Sequence, residues 1–138
     1  MEYLPLTEKD RELIEAAATV IRKNHVDGRH QVGAAVRSKS GRVFSGVNLE
    51  SPGVDICAEP VALGMAISNG EREFDSIVAV AMEDGRDPQV LSPCGICREL
   101  IKFYGEDISI IFVEDGDLKK CRAKDLLPGP YIYSKEGE

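Results

Sequence analysis

Most targeting and linker signals are missing from this chain of 138 residues. No apolar run approaches the roughly 20 residues a bilayer-spanning helix needs, so no membrane span is expected. The start, Met1-Glu2-Tyr3, lacks the basic and apolar regions of a secretory leader, which makes a cytoplasmic location the expectation. There are no internal repeats, no low-complexity tracts and no linker. One domain over 1–138 follows, with 134–138 expected as a disordered tail.

Positive charge is also in short supply. Lys and Arg number 17 against 24 Asp and Glu, a net charge of −7. The densest basic cluster, Lys119-Lys120-Cys121-Arg122, is bordered by Asp117 and Asp125. Nucleic-acid binders usually carry a basic stripe, so a polymer partner is disfavoured and a small-molecule substrate is expected. The 43% apolar and 30% charged residues fit a soluble globular protein large enough to bury a core. Cysteines number only four, and in a reducing compartment they point to metal or catalysis before disulfides.

What is present has clear periodicity. Thr7 with Asp10 resembles a capping box, and Leu13, Ile14, Ala17, Val20 and Ile21 follow at helical spacing, predicting a helix over 7–24. Strands are predicted over 32–37 and 42–47, joined at Lys39-Ser40-Gly41 as a hairpin. A loop over 48–55 precedes a second helix over 57–68, apolar on nearly every side and therefore central. A strand over 77–82, a polar loop over 83–90, a third helix over 94–104 and strands over 108–113 and 118–122 complete the order. That order predicts an α/β fold: one mixed, mostly five-stranded sheet with helices on both faces.

Two cysteine stretches carry the chemistry. Cys57-Ala58-Glu59 and Pro93-Cys94-Gly95-Ile96-Cys97 are separated by the 33 residues between Glu59 and Pro93. A lone Cys-x-x-Cys says little, but the combination is rare. Three thiolates suit Zn²⁺ with a fourth position open, and a carboxylate two residues from one ligand is placed to move a proton. Asp55 and Ser92-Pro93 read as helix-start signals, putting Cys57 and Cys94 in first turns, where free N–H groups and the helix dipole favour a thiolate. The blander readings are a closed four-thiolate site with Cys121, a redox Cys-x-x-Cys, or a zinc-stabilised binding module without turnover.

The paired stretches resemble the Cys₃ form of the zinc deaminase signature. With Val32-Gly33-Ala34-Ala35, Gly46-Val47-Asn48-Leu49-Glu50 and Ser92-Pro93-Cys94-Gly95-Ile96-Cys97-Arg98, the chain is similar to the cytidine deaminase family and its blasticidin-S deaminase branch. The resemblance implies a three-layer α/β/α domain, assembled as a homotetramer or dimer, with sites completed by neighbouring subunits. It implies Zn²⁺ on Cys57, Cys94 and Cys97, with Glu59 as proton shuttle in deaminating a cytosine nucleoside or analogue. It further implies ribose contacts from Asn48 and Glu50, and backbone contacts from Ala58 and Ser92. Tyr131 and Tyr133 are candidates for an aromatic pocket wall, with ordinary packing as the alternative. Three features lean toward the blasticidin branch: the nine-position step from Asn48 to Cys57, the Glu59-Pro60-Val61-Ala62-Leu63-Gly64 stretch, and the Leu126-to-Tyr133 tail. Where Cys₃ cytidine deaminases carry Arg after the catalytic Glu, this chain has Pro60, and Arg98 is the candidate substitute. The Phe that stacks on cytosine is absent, with His30 and Gln31 in its region.

Overall fold

The computed structural model describes residues 1–133, so the expected tail at 134–138 lies outside the described residues. Thr7 and Asp10 form the capping box that starts α1 (Glu8–Asn24): the Thr7 hydroxyl accepts from the Asp10 N–H, and Asp10 accepts from the Thr7 N–H at 2.8 Å. Strands β1 (Val32–Ser38) and β2 (Val43–Val47) make the antiparallel hairpin, with Gly41 turning at φ 95°. That backbone region suits glycine because no side chain obstructs it.

Two residues-long strands, β3 (Leu49–Glu50) and β4 (Asp55–Ile56), pair across the segment expected to be an irregular loop. They deliver the chain to α2 (Ala58–Ser68). Next come β5 (Phe74–Ala81), β6 (Gln89–Leu91), α3 (Gly95–Tyr104), β7 (Ser109–Glu114) and β8 (Asp117–Arg122), then a 3₁₀ turn at Ala123–Leu126.

The main sheet runs β2-β1-β5-β7-β8, as five strands, with β5 and β7 parallel and the other neighbours antiparallel. A sixth strand, β6, corrects the expected polar loop. It pairs with β5 at Ala79–Ala81, whereas β7 pairs with β5 at Ser76 and Ile77. Strand β1 covers the other edge of β5, so β6 and β7 must share one edge, end to end. Short length and a single pairing partner leave β6 little hydrophobic pattern to read.

Period-two alternation sends neighbouring side chains to opposite faces. Leu13, Ala17 and Ile21 of α1 pack on Ala35, Val78, Val80 and Ile111. Residues of α2 and α3, including Ala62, Ala66, Cys97 and Ile101, pack on Ala34, Val36, Ile77 and Ile110 from the other side. The result is the expected three-layer α/β/α arrangement. Among the described residues, no helix is long and apolar enough to cross a membrane.

Candidate active site

Both helices that share one face of the sheet begin at a cysteine. Cys57 is the N-cap of α2 and Cys94 the N-cap of α3, each with extended backbone. The sequence had pointed instead to Asp55 and Ser92 as the helix starters. Asp55 belongs to the β3–β4 ladder, opposite Glu50, and the Ser92 hydroxyl donates to the Val113 carbonyl at 2.8 Å. A sulfur at the cap sits where the first N–H groups of a helix converge, which still favours a thiolate.

Cys97 lies one turn into α3 and is fully buried. The three sulfurs of Cys57, Cys94 and Cys97 lie within 4.8 Å of one another, with Cys57 and Cys94 3.7 Å apart. Tetrahedral zinc with Zn–S bonds of about 2.3 Å needs sulfurs about 3.8 Å apart. The donor set therefore fits zinc without rearrangement of the Cys57–Cys94 pair. Cys121 is not in the cluster: it is buried in the core beside β7 residues, which removes the closed four-thiolate arrangement among the described residues.

The electrostatics divide the three thiols. Burial pushes Cys57 up, aided by Cys94 and Glu59. Burial, with the Glu59 carboxylate and the other two thiols, pushes Cys97 up furthest. Burial also acts to raise Cys94, but the N–H groups of Cys97 and Ile96 and the thiols of Cys97 and Cys57 outweigh it, leaving Cys94 below the ordinary thiol value. Cys94 is therefore the readiest thiolate. Arg98 directs its guanidinium to backbone, donating to the Pro93 carbonyl at 2.8 Å and the Leu126 carbonyl at 3.4 Å. Pro60 costs α2 nothing, because its position in the first turn has no helical N–H partner to lose.

Glu59 is only 4% exposed although it is an acid. Burial raises its carboxyl above the ordinary value, opposed by its own backbone N–H and by the Cys97 thiol. It lines a cavity of about 420 Å³ together with Cys57, Cys94, Ala58, Ser92, Asn48 and Glu50. All the sequence-derived substrate candidates except Tyr131 and Tyr133 thus meet in one place. Those two tyrosines line a separate apolar groove with Ile96 and Phe103 on the outer side of α3. Arg29, Gln31, Asp55 and Leu91 also line the Glu59 cavity; Arg29 and Leu91 carry no motif, Asp55 reads only as a helix start, and the only signal for Gln31 is its neighbourhood to the missing Phe.

The family model described as the cytidine and deoxycytidylate deaminase zinc-binding region matches residues 7–113. The chain belongs to that family. It is 40% identical over 137 residues to a blasticidin-S deaminase of Bacillus cereus, an alignment covering 95% of this chain and 98% of the relative. A cytidine deaminase of Halalkalibacterium halodurans is 36% identical over 107 residues, covering 75% of this chain and 78% of that one. The crystal structure of cytidine deaminase from Burkholderia pseudomallei superposes with a TM-score of 0.73 at 33% identity, covering 91% of this chain and all of that chain. As a member of the cytidine deaminase family, the protein is a zinc-dependent hydrolytic deaminase.

Proposed function

We propose that the whole chain acts as one catalytic domain, hydrolysing the 4-amino group of a cytosine nucleoside or cytosine-nucleoside analogue. Water oxygen bonds to C4, the C4–N bond breaks, and ammonia leaves with a uracil product. Zinc held by Cys57, Cys94 and Cys97 would supply a water acidified toward neutral pH. Glu59 would take a proton from that water and place it on ring N3, making C4 electrophilic, and would then pass the remaining hydroxyl proton to the leaving amine as the C4 carbonyl forms. One carboxylate serves both transfers because it sits in the same cavity as the thiols and is shielded from bulk water. Backbone groups of Ala58 and Ser92 would hold the ring, and Glu50 would accept from a sugar hydroxyl.

The single observation that carries this reading is a nearly buried carboxylate beside three clustered thiols in a cavity of small-ligand size. Similarity to the Bacillus cereus relative over almost the full chain favours an analogue such as blasticidin S over cytidine itself. The test is a screen of zinc-loaded protein against cytidine, deoxycytidine and blasticidin S, reading loss of the cytosine absorbance band and release of ammonia. Turnover of blasticidin S well above cytidine places the chain in that branch; no ammonia from any of the three sinks the substrate assignment.

The protein is proposed to work in the cytoplasm, where its thiols stay reduced, as a homotetramer or dimer. Support for assembly comes from the outer side of α3 and the following segment, where Ile96 is 78%, Tyr131 71% and Ile132 64% exposed. Tyr131 and Tyr133 would then serve a neighbour's cavity, since they do not line that of their own chain.

A further inference from the structure

Arg98 follows Cys97 near the start of α3, and its side chain runs back past the beginning of that helix. Helical side chains tilt toward the N-terminus, so a long one placed here reaches residues before the cap. The Arg98 Nε–H donates to the Pro93 carbonyl at 2.8 Å, and the far end of the guanidinium donates to the Leu126 carbonyl at 3.4 Å.

The helix itself does not hold Pro93. As a proline it lacks an N–H, and its carbonyl precedes the Cys94 carbonyl, which accepts from the Arg98 N–H at 2.9 Å to begin the helix ladder. The Pro93 carbonyl and the Cys94 nitrogen share one planar peptide unit, so fixing the direction of that carbonyl fixes the plane that leads into Cys94. Ser92, one residue earlier, is anchored separately: its hydroxyl donates to the Val113 carbonyl at 2.8 Å and accepts from the Val113 N–H at 3.2 Å. Those bonds tie Ser92 to β7 but do not set the rotation between Pro93 and Cys94. The Arg98 bond does. Pro93 is also buried and lines one apolar recess with Glu59, Ile101 and Ile110, so this residue borders both a thiol of the cluster and the buried acid.

We propose that Arg98 is a positioning residue of the zinc site: its Nε–H sets the peptide plane that carries Cys94, and it acts through that hydrogen bond and not through its positive charge. The proposal rests on the three-thiolate zinc site described above. Groups that orient a metal ligand without touching the metal are worth about 10- to 100-fold in metal affinity. An arginine beside thiolates can compensate charge or aim a ligand, and the two roles make opposite demands on its replacements. In Gln the amide nitrogen stands as many bonds from Cα as Nε does in Arg, so Arg98→Gln keeps a donor for Pro93 and loses the charge. Lys carries a methylene at that place and its ammonium one bond further out, so Arg98→Lys keeps the charge and loses the donor.

The experiment measures the zinc affinity of wild type, Arg98→Gln, Arg98→Lys and Arg98→Met by competition with a chromophoric chelator. Thermal melting of the zinc-free forms checks that each variant folds. Arg98→Met is expected to bind zinc about 10- to 100-fold more weakly than wild type, Arg98→Lys nearly as weakly as Arg98→Met, and Arg98→Gln close to wild type. The reverse order, with Arg98→Lys near wild type and Arg98→Gln as weak as Arg98→Met, assigns the residue to charge compensation and overturns the proposal. Three variants equal to one another, whether weak or as tight as wild type, overturn it too. Should Arg98→Met fail to fold, the comparison of Arg98→Gln with Arg98→Lys decides alone. A wild type that takes up no zinc sinks the metal site and the proposal with it, whereas zinc uptake with the wrong order sinks the proposal alone.

Discussion

Cys57 and Cys94 stand 37 residues apart in sequence, yet their sulfurs lie 3.7 Å apart at the starts of two helices on the same face of the sheet. Neither helix alone provides a site. Replacing either cysteine by Ser is expected to weaken zinc binding roughly a hundredfold or more, since three ligands share a binding free energy on the order of 10 kcal/mol. Cys121→Ser is expected to leave zinc content unchanged, because that thiol lies in the core away from the cluster. Zinc titration of the three variants against a chromophoric chelator reads both outcomes; loss of zinc from Cys121→Ser would contradict the three-thiolate site.

Zinc uptake is expected to weaken as pH falls. The metal needs thiolates, so it competes with protons. Burial holds Cys57 and Cys97 above the ordinary thiol value in the metal-free chain, so at neutral pH each must give up a proton when zinc enters, whereas Cys94 gives up its proton more readily. The sign is therefore stronger binding with rising pH. Calorimetry in buffers of different ionisation enthalpy measures the protons released; a pH-independent affinity with no proton release would be incompatible with this ligand set.

Glu59→Gln keeps the shape of the side chain and removes its ability to take up a proton. Turnover is expected to drop about a thousandfold, within the range general acid–base groups supply, while zinc content stays at the wild-type level. Because the buried carboxylate also disfavours the charged forms of Cys57 and Cys97, the variant is expected to bind zinc no more weakly than wild type. Steady-state assay and metal analysis on one preparation separate the two effects.

The helices, the hairpin and the five main strands were legible from apolar runs or faces of the right length and from the caps and turns that end them, α2 by being apolar on nearly every side. Leu13, Ala17 and Ile21 announce α1, and the Thr7–Asp10 box sets its start. Strand β6 and the β3–β4 ladder were not legible, since two or three residues cannot display a period and their pairing depends on distant partners. The grouping of the three thiols with Glu59 was expected from their spacing together with the resemblance to the zinc deaminase signature, and the fold brings the sulfurs within 4.8 Å of one another with Glu59 in the same cavity as Cys57 and Cys94. The partners of Ser92 and Arg98 were not legible: each residue is directed to a backbone carbonyl, Val113 for one and Pro93 for the other, that only the folded chain brings near. The place of Tyr131 and Tyr133 outside the Glu59 cavity depends likewise on where α3 lies in space.

Two glycines let the helices approach the sheet. A Cβ on Gly33 would stand 2.6 Å from the Ala17 carbonyl oxygen of α1, and one on Gly46 would stand 2.6 Å from Val61 Cγ1 of α2. The first obstacle is helix backbone and cannot rotate away; the second includes a side chain that can yield. Gly33→Ala is expected to cost about 2–3 kcal/mol and Gly46→Ala about 1–2 kcal/mol, in the range of overpacked cores. Urea denaturation of both variants checks the order, and equal stabilities would mean that α1 shifts as freely as Val61.

Asp10 and Lys120 form a 2.8 Å ion pair whose side chains are 4% and 14% exposed. Asp10 does two things at once: it closes the capping box of α1 and meets the ammonium of a β8 lysine that also donates to the Pro5 carbonyl at 3.5 Å. Asp10→Ala removes the cap and leaves a largely buried ammonium without its carboxylate. Breaking a buried pair on one side costs about 3 kcal/mol, and losing a cap interaction about 1 kcal/mol more. Lys120→Met removes the charge while keeping an apolar stem of similar length, so the double variant Asp10→Ala/Lys120→Met is expected to recover much of the first term and none of the second. Urea midpoints of the two single variants and the double variant test this. If the double variant is as unstable as Asp10→Ala alone, the stranded ammonium is not the main cost, and the cap carries the effect.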